Sequence, residues 1–211
     1  MLVSLKTVLD IAEEKQCAVP AFNVYNAETA LGIIRAAEEA NSCVILQMYS
    51  RLFSNFEAEF MMPALVAAAQ KSKVKIALHL DHGADRQVVA KALRWGCTGV
   101  MRDASTEPFE ENVKILKDVV DFAHAVGVQV EGELGHVGDN EGEGKLLRPS
   151  DYYTHPDQAV DYVRKTGVDA LAVAVGNAHG DYKFPPKLDF ERITTISEIT
   201  GIPLVLHGRL R

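Results

Sequence analysis

Cysteine is scarce in this chain, and long apolar runs are absent. The three cysteines among 211 residues, Cys17, Cys43 and Cys97, are scattered and form no CxxC pair. Such an odd, dispersed set predicts no disulfide framework and favours a reducing, cytoplasmic compartment. The longest clean apolar run covers residues 170–175, whereas a transmembrane helix needs about 20 apolar residues. We therefore expect no membrane partner.

An excess of basic residues is absent too. Lys plus Arg is 22 and Asp plus Glu is 29, so the formal net charge is −7. An acidic surface repels phosphate backbones, so nucleic-acid binding is not expected. A small anionic ligand can still bind where a pocket is locally positive. Residues 1–15 carry charges and lack a small-residue cleavage site, which predicts an amphipathic helix and not a signal peptide.

Short β-branched runs alternate with amphipathic stretches along the whole chain. The predicted strands are residues 17–25, 42–49, 75–80, 99–103, 128–134, 169–176 and 202–208. Glycines stand just before four of these strands, where a left-handed helix C-cap suits them: Gly96, Gly127, Gly167 and Gly201. Strands that are continuously apolar and separated by helices predict an α/β fold with a parallel sheet buried on both faces.

A doubly wound sheet and a (β/α)₈ TIM barrel both fit this alternation. No GxGxxG follows the first strand, which weakens the dinucleotide-binding alternative. Polar residues stand at the carboxyl ends of most strands, and a barrel gathers those ends around one mouth. We therefore expect a single barrel domain over residues 1–211. A barrel needs eight strands and about 250 residues, so the expected barrel is incomplete, truncated after strand seven with the eighth βα unit missing.

Histidine follows an apolar strand at three places. Asp81 and His82 directly follow the third predicted strand, His179 follows the sixth, and His207 lies at the end of the seventh. Three imidazoles meeting at one barrel mouth would match a catalytic zinc site with an open coordination position. For the first pair alone, the alternative is that Asp81 caps the next helix and His82 lies on the surface.

The segment 131–144 is rich in acids and glycines, and it admits two interpretations. Most of it fits a solvated loop, yet Glu131 and Glu133 share one face of a strand. A mobile acidic loop can also bring a general acid or base to bound substrate. No lysine stands at a predicted strand end and no GxSxG occurs, which argues against Schiff-base chemistry and a nucleophile elbow.

Five motifs resemble one family when they are taken in order. They are PAFNVYN, LHLDHG, VEGELGHVG, VGNAHGDYKFPPKLDFERI and PLVLHG. Together they resemble the class II zinc-dependent fructose- and tagatose-bisphosphate aldolases. This resemblance implies a (β/α)₈ barrel in a homodimer or tetramer. It also implies a lyase of carbohydrate metabolism, such as glycolysis, that reversibly cleaves a ketose 1,6-bisphosphate to dihydroxyacetone phosphate and an aldehyde phosphate.

The same resemblance implies a role for each motif residue. The zinc ligands would be His82, His179 and His207, and a second, buried zinc position would involve Asp103 and Glu133. Asp81 would act on the C4 hydroxyl, and the loop acid Glu141 would handle the proton at C3, with Asp139 and Glu143 as open alternatives. Asn23 would bind the phosphorylated sugar, and Gly180 and Gly208 would lie at the phosphate and monovalent-cation (Na⁺ or K⁺) site.

Two departures from the family pattern leave other hypotheses open. Residues 47–53 read QMYSRLF in place of a loop with glycine and serine, which bears on substrate choice. The family continues HGGSG where His207 and Gly208 are followed here by Arg209. The alternative is thus a non-catalytic truncated fragment that still binds zinc; a metal-dependent hydrolase fits the ordered motifs less well. Because strands one and seven would then have open edges, we expect low solubility or dependence on a partner.

Overall fold

The computed structural model describes residues 1–135, 137, 153–179 and 187–208. In this part of the chain, strands and helices follow one another as α1 (Leu5–Lys15), β1 (Ala21–Asn23), α2 (Ala27–Glu39), β2 (Val44–Tyr49), α3 (Ser50–Ser54), α4 (Glu57–Lys71), β3 (Ile76–Gly83), α5 (Arg86–Arg94), β4 (Gly99–Arg102), α6 (Phe109–His124), β5 (Gln129–Leu134), α7 (Pro156–Thr166), β6 (Ala170–Val173), α8 (Phe190–Thr200) and β7 (Leu204–Val205). The predicted alternation of seven strands with helices is confirmed. None of the described helices is long and apolar enough to cross a membrane.

The first of two compact units comprises Met1–Asp103 and Val119–Val130. Its strands β1, β2, β3 and β4 lie side by side in chain order, and each pair is parallel. The strand β3 is buried along nearly its whole length, as a parallel sheet covered on both faces requires. The helix α1 packs on this sheet through Leu5 and Val8, which form a buried cluster with Ile45 and Ala77.

The second compact unit comprises Ala104–Asp118 and Glu131–Arg211. Its strands β5, β6 and β7 are again parallel and adjacent in chain order. A buried polar anchor fixes β5 to two helices: the Tyr162 hydroxyl donates to Asn112 Oδ1 at 2.9 Å, and Asn112 Nδ2 donates to the Glu133 carbonyl at 3.0 Å. Because every atom of this anchor has a partner, its burial carries little cost.

Helix ends follow the local sequence closely. Asn26 and Asp85 cap α2 and α5, each accepting a hydrogen bond from the backbone N–H three residues on. At the other end, Gly167 and Gly201 adopt φ angles of 74° and 66° after α7 and α8. Only glycine adopts this left-handed conformation without a Cβ penalty. The predicted glycine C-caps are therefore confirmed at these two helices.

The first and the last strand are much shorter than predicted. The strand β1 covers Ala21–Asn23, where residues 17–25 were expected, and β7 covers only Leu204–Val205. The strand β1 pairs with β2 at three positions, and β7 pairs with β6 at two, so few ladder hydrogen bonds hold either of them in regular pairing. The sequence pattern also misses the short helix Ser50–Ser54, which directly follows β2.

Candidate active site

The carboxyl ends of the four adjacent strands of the first unit carry most of the polar residues that can bind a ligand or transfer a proton. Asn23 ends β1, Gln47 lies near the end of β2, and Asp81 and His82 lie near the end of β3. Asp103 directly follows β4. Because all these strands are parallel, their carboxyl ends meet at one edge of the sheet, where ligands bind in α/β folds.

The carboxylate of Asp81 is buried, and among the described residues only one of its two oxygens has a hydrogen-bond partner. Its Oδ2 accepts a hydrogen bond from Asn23 Nδ2 at 2.7 Å. Among the residues that the structure describes, Asp81 Oδ1 has no hydrogen-bond partner, and it lies 3.8 Å from His82 Nε2. Burying a carboxylate oxygen without a partner is costly, so this atom is suited to accept a proton or a ligand. Asp81 does not cap α5, because Asp85 does.

A distortion in β3 sets the orientation of the His82 side chain. Leu80 pairs with Val100 and Gly83 with Arg102, so three steps along β3 match two along β4. The extra residue makes a β-bulge, a device that redirects a side chain near functional sites. His82 takes up the distortion with a φ of 46°, which is uncommon for a residue other than glycine. At Gly83 a Cβ would lie 2.4 Å from the Met101 carbonyl oxygen, so the bulge requires glycine there.

One ring nitrogen of His82 is held by a carboxylate. His82 Nδ1 lies 2.8 Å from Asp103 Oδ2. An ionised carboxylate only accepts hydrogen bonds, so Nδ1 carries the proton, and in the neutral ring Nε2 keeps the lone pair. In metal sites, a histidine ligand commonly donates its other ring N–H to a carboxylate in this way. The ring of Tyr49 also contacts His82 edge to face, at 6.3 Å between centroids.

A second carboxylate–imidazole pair lies in the other compact unit. His207 follows β7, and its Nε2 is 2.7 Å from Oε1 of Glu131 on β5; both residues are buried. Here Nε2 carries the proton, so Nδ1 keeps the lone pair. The His207 backbone is also fixed, because its carbonyl accepts a hydrogen bond from Asn177 Nδ2 at 2.9 Å.

His179 and Gly208 complete the described part of this second cluster. The rings of His179 and His207 meet edge to face, with centroids 6.0 Å apart. Gly208 has a φ of 106°, and a Cβ there would lie 2.4 Å from the Ala178 carbonyl oxygen. The chain segments that follow β6 and β7 therefore approach each other at a distance that only glycine permits.

Most predicted site residues fall into these two clusters. The first holds Asn23, Asp81, His82 and Asp103. The second holds His179, His207 and Gly208. Glu133 is buried on β5, two residues after Glu131 and on the same face. Glu141 and Gly180, together with the alternatives Asp139 and Glu143, lie outside the described residues.

Two contacts are not indicated by the sequence pattern. Glu131 accepts a hydrogen bond from His207, and Gln47 donates one to Asn23. The shared face of Glu131 and Glu133 was the available signal for the first. The thiol of Cys97 is no candidate nucleophile, because burial raises its pKa well above the ordinary value.

Comparison with known proteins gives consistent matches. The profile of the family described as fructose-bisphosphate aldolase class-II matches residues 3–209. The protein YdjI of Escherichia coli strain K12 is 42% identical over 208 residues, which are 99% of this chain and 74% of YdjI. The crystal structure of the YdjI aldolase from that organism superposes with a TM-score of 0.88 at 40% identity, covering 99% of this chain and 74% of the other.

A more distant structure supports the fold alone. The fructose-bisphosphate aldolase of Campylobacter jejuni matches with a TM-score of 0.78 at 24% identity, over 98% of this chain and 70% of that protein. Together these matches confirm the α/β class and the TIM-barrel-like fold of these aldolases, and the described residues include seven parallel strands. This chain spans about three quarters of the length of its relatives.

Proposed function

The chain belongs to the class-II fructose-bisphosphate aldolase family, whose members are metal-dependent lyases, and from this premise we propose that it reversibly cleaves a ketose 1,6-bisphosphate. The products are dihydroxyacetone phosphate and an aldehyde phosphate. The observation that carries the proposal is the pair of carboxylate–imidazole contacts, His82 with Asp103 and His207 with Glu131. Each contact leaves one ring nitrogen with its lone pair at the carboxyl end of a strand.

The donor set fits Zn²⁺. In this proposal His82, His179 and His207 bind the ion, because three neutral imidazoles with one open position are typical of catalytic zinc. Asp103 and Glu131 orient two of these rings and raise their basicity. Asp103 and Glu133 also remain the proposed residues of a second, buried zinc position. When bound, zinc supplies a Lewis acid that stabilises negative charge on the substrate oxygens.

Asp81 is the proposed base for cleavage. Its Oδ1 takes the proton of the C4 hydroxyl, C4 becomes the carbonyl carbon of the aldehyde, and the C3–C4 bond breaks. The electron pair of that bond stays on the three-carbon fragment, which is then protonated at C3. Glu141 is the proposed donor of that proton. Burial of Asp81 keeps bulk water away from the reacting oxygen.

The remaining assignments concern the substrate and the whole protein. Asn23, Gly180 and Gly208 are proposed to bind the phosphorylated sugar, with a monovalent cation (Na⁺ or K⁺) near the two glycines. Gly208 lies so close to the Ala178 carbonyl oxygen that no Cβ fits there, which fixes the backbone that would face the ligand in this proposal. The family resemblance further supports a cytoplasmic homodimer or homotetramer that acts in carbohydrate metabolism.

A direct assay tests the proposed function. Purified protein is incubated with fructose or tagatose 1,6-bisphosphate, and release of dihydroxyacetone phosphate is followed by its enzymatic reduction. We expect release from at least one of the two sugars, its loss after treatment with a chelator, and its recovery on addition of Zn²⁺. A protein that binds zinc tightly but releases no product from either sugar would support the non-catalytic alternative. Activity unchanged by complete metal removal would contradict the metal assignment.

A further inference from the structure

A one-way chain of hydrogen bonds leads to Asp81 across three strands. Gln47 Nε2 donates to Asn23 Oδ1 at 3.0 Å, and Asn23 Nδ2 donates to Asp81 Oδ2 at 2.7 Å. Asn23 and Gln47 are direct register partners of β1 and β2. Gln47 pairs with His79, which is two residues before Asp81 on β3. All three side chains therefore lie on one face of the sheet, as the two-residue period of strands requires.

The direction of this chain follows from the chemistry of its ends. An ionised carboxylate only accepts hydrogen bonds, so Asn23 must present its NH₂ group to Asp81. The carbonyl oxygen of the Asn23 amide then faces Gln47, which must present its own NH₂ group. An amide that flipped by 180° would instead bring its oxygen to the Asp81 carboxylate, where two acceptors would repel each other.

From this arrangement we infer that Gln47 is a positioning residue for the reaction proposed above. It fixes the Asn23 amide with Nδ2 toward Asp81, so that Asp81 Oδ2 is held and Oδ1 is the oxygen left for the substrate hydroxyl. The inference rests on the proposed function in naming the reaction. The hydrogen bonds from Gln47 to Asn23 and from Asn23 to Asp81 are present in the structure whether or not the protein cleaves a sugar. Gln47 acts through Asn23, because among the described residues it makes no hydrogen bond of its own with Asp81.

Two substitutions at Gln47 remove its NH₂ donor while keeping the size of the side chain. Gln47→Met keeps the length but removes the NH₂ group, so the Asn23 amide is free to flip, and we expect kcat to fall about 10-fold. Gln47→Glu replaces the donor by an acceptor and draws the Asn23 NH₂ group away from Asp81. For this variant we expect a fall of about 10- to 100-fold, the range for a lost hydrogen bond to a charged group. KM should change less than 2-fold in both, and Gln70→Glu, on the exposed side of α4, is the control.

A double-mutant cycle tests whether Gln47 acts through Asn23. In an Asn23→Ala background, Gln47→Met should lower kcat by less than 2-fold, because the amide that it orients is gone. An equal loss in both backgrounds would overturn the inference, since Gln47 would then act on the substrate directly or through packing. Thermal melting and zinc content of each variant show whether loss of fold or of metal accounts for a change in kcat.

A measurement independent of activity keeps the inference testable if the protein cleaves neither sugar. The side-chain NH₂ resonances of Asn23 are assigned in ¹⁵N-labelled protein by their disappearance in Asn23→Ala. In the unmodified chain they should exchange slowly with water, because Asp81 accepts from Nδ2. Gln47→Met should speed this exchange at least several-fold, whereas Gln70→Glu should not. Exchange that is the same in Gln47→Met and the unmodified chain would overturn the inference, even where the proposed function also fails.

Discussion

His207 Nε2 lies 2.7 Å from Glu131 Oε1, and this contact joins β5 to the segment that follows β7 within one compact unit. Both side chains are buried, so water does not compete for the hydrogen bond. The carboxylate fixes the ring orientation and the tautomer, leaving Nδ1 with its lone pair. In the other unit, Asp103 does the same for His82 through the opposite ring nitrogen. A histidine prepared in this way loses less entropy on binding a metal ion.

Removal of the Glu131 charge should therefore weaken zinc binding. In Glu131→Gln the shape is kept but the negative charge behind His207 is lost, so we expect zinc affinity to fall about 10- to 100-fold. Competition with a fluorescent chelator measures this affinity. Glu191→Gln, on the exposed first turn of α8, is the matched control and should bind zinc normally. Equal affinity of the Glu131 variant and the control would show that the contact has no part in metal binding.

Loss of a direct zinc ligand should lower zinc affinity more than loss of a carboxylate that only orients a ligand. His179→Ala removes one of three proposed zinc ligands, so we expect zinc affinity to fall by more than the roughly 100-fold of a supporting residue. Cleavage should be abolished with it. The exposed His155 provides the control His155→Ala. Elemental analysis of both dialysed variants checks the result; a full equivalent of zinc in His179→Ala would contradict the ligand assignment.

Asp81 should be required for cleavage and not for metal binding. Asp81→Asn keeps the shape but cannot take the C4 proton, so we expect kcat to fall about 10²- to 10⁴-fold, the usual contribution of a general base. Zinc content should remain that of the unmodified protein. Asp157, whose side chain is 93% exposed, provides the control Asp157→Asn. If the Asp81 variant instead lost its zinc and its fold, the carboxylate would have a structural role.

The sequence predicts the periodic parts of this molecule well. The strands β2 to β6 begin and end within three residues of the predicted bounds, because burial on both faces demands uninterrupted apolar runs. Glycine C-caps are equally local, since the φ angle at one position decides them. The bounds of β1 and β7 were poorly predicted, because pairing with a neighbour, and not composition, sets where an edge strand ends.

Contacts within the site were much harder to predict than the residue types. The sequence shows directly that histidines and carboxylates stand at strand ends. The partner of each histidine, however, depends on the register between neighbouring strands. The bulge between Leu80 and Gly83 shifts β3 against β4 by one residue, and this shift accompanies the contact of His82 with Asp103. Similarly, Glu131 and His207 are 76 residues apart in sequence. No local pattern indicates such pairings, so Asp103 was expected only as a zinc ligand.

A pH-dependent contribution to stability is expected at the start of α8. Asp189 caps this helix, and its hydrogen bonds with the backbone N–H and side chain of Arg192 lower its pKa below the ordinary value of 3.8. Because the pKa is lower in the folded state, the stabilisation is complete above about pH 4 and is lost as the pH falls through the folded-state pKa. Asp189→Ala should lower the free energy of unfolding at pH 7 by about 1 kcal/mol.

Urea denaturation at pH 7 and at about pH 2.5 measures this effect. The difference between Asp189→Ala and the unmodified protein should shrink at the lower pH, because protonation of the carboxyl group removes the charge that accepts the hydrogen bonds from Arg192. Asp189→Asn keeps an oxygen acceptor for the helix N-terminus and is expected to be destabilised less than the alanine variant at pH 7. A difference that stays constant between the two pH values would show that the charge of Asp189 contributes nothing.

Glu141 should control the protonation of C3 in the three-carbon product. Cleavage leaves an electron pair on the three-carbon fragment, so an acid must protonate C3 before dihydroxyacetone phosphate is complete. We expect Glu141→Gln to slow the exchange of the C3 proton of dihydroxyacetone phosphate with deuterated water about 10²- to 10⁴-fold. An oxidant that traps the carbanion should then consume more of it per turnover than in the unmodified protein. Proton NMR follows the exchange, and Asp139→Asn and Glu143→Gln are the matched loop variants. Slow exchange in one of those two, with normal exchange in Glu141→Gln, would assign the proton transfer to that acid instead.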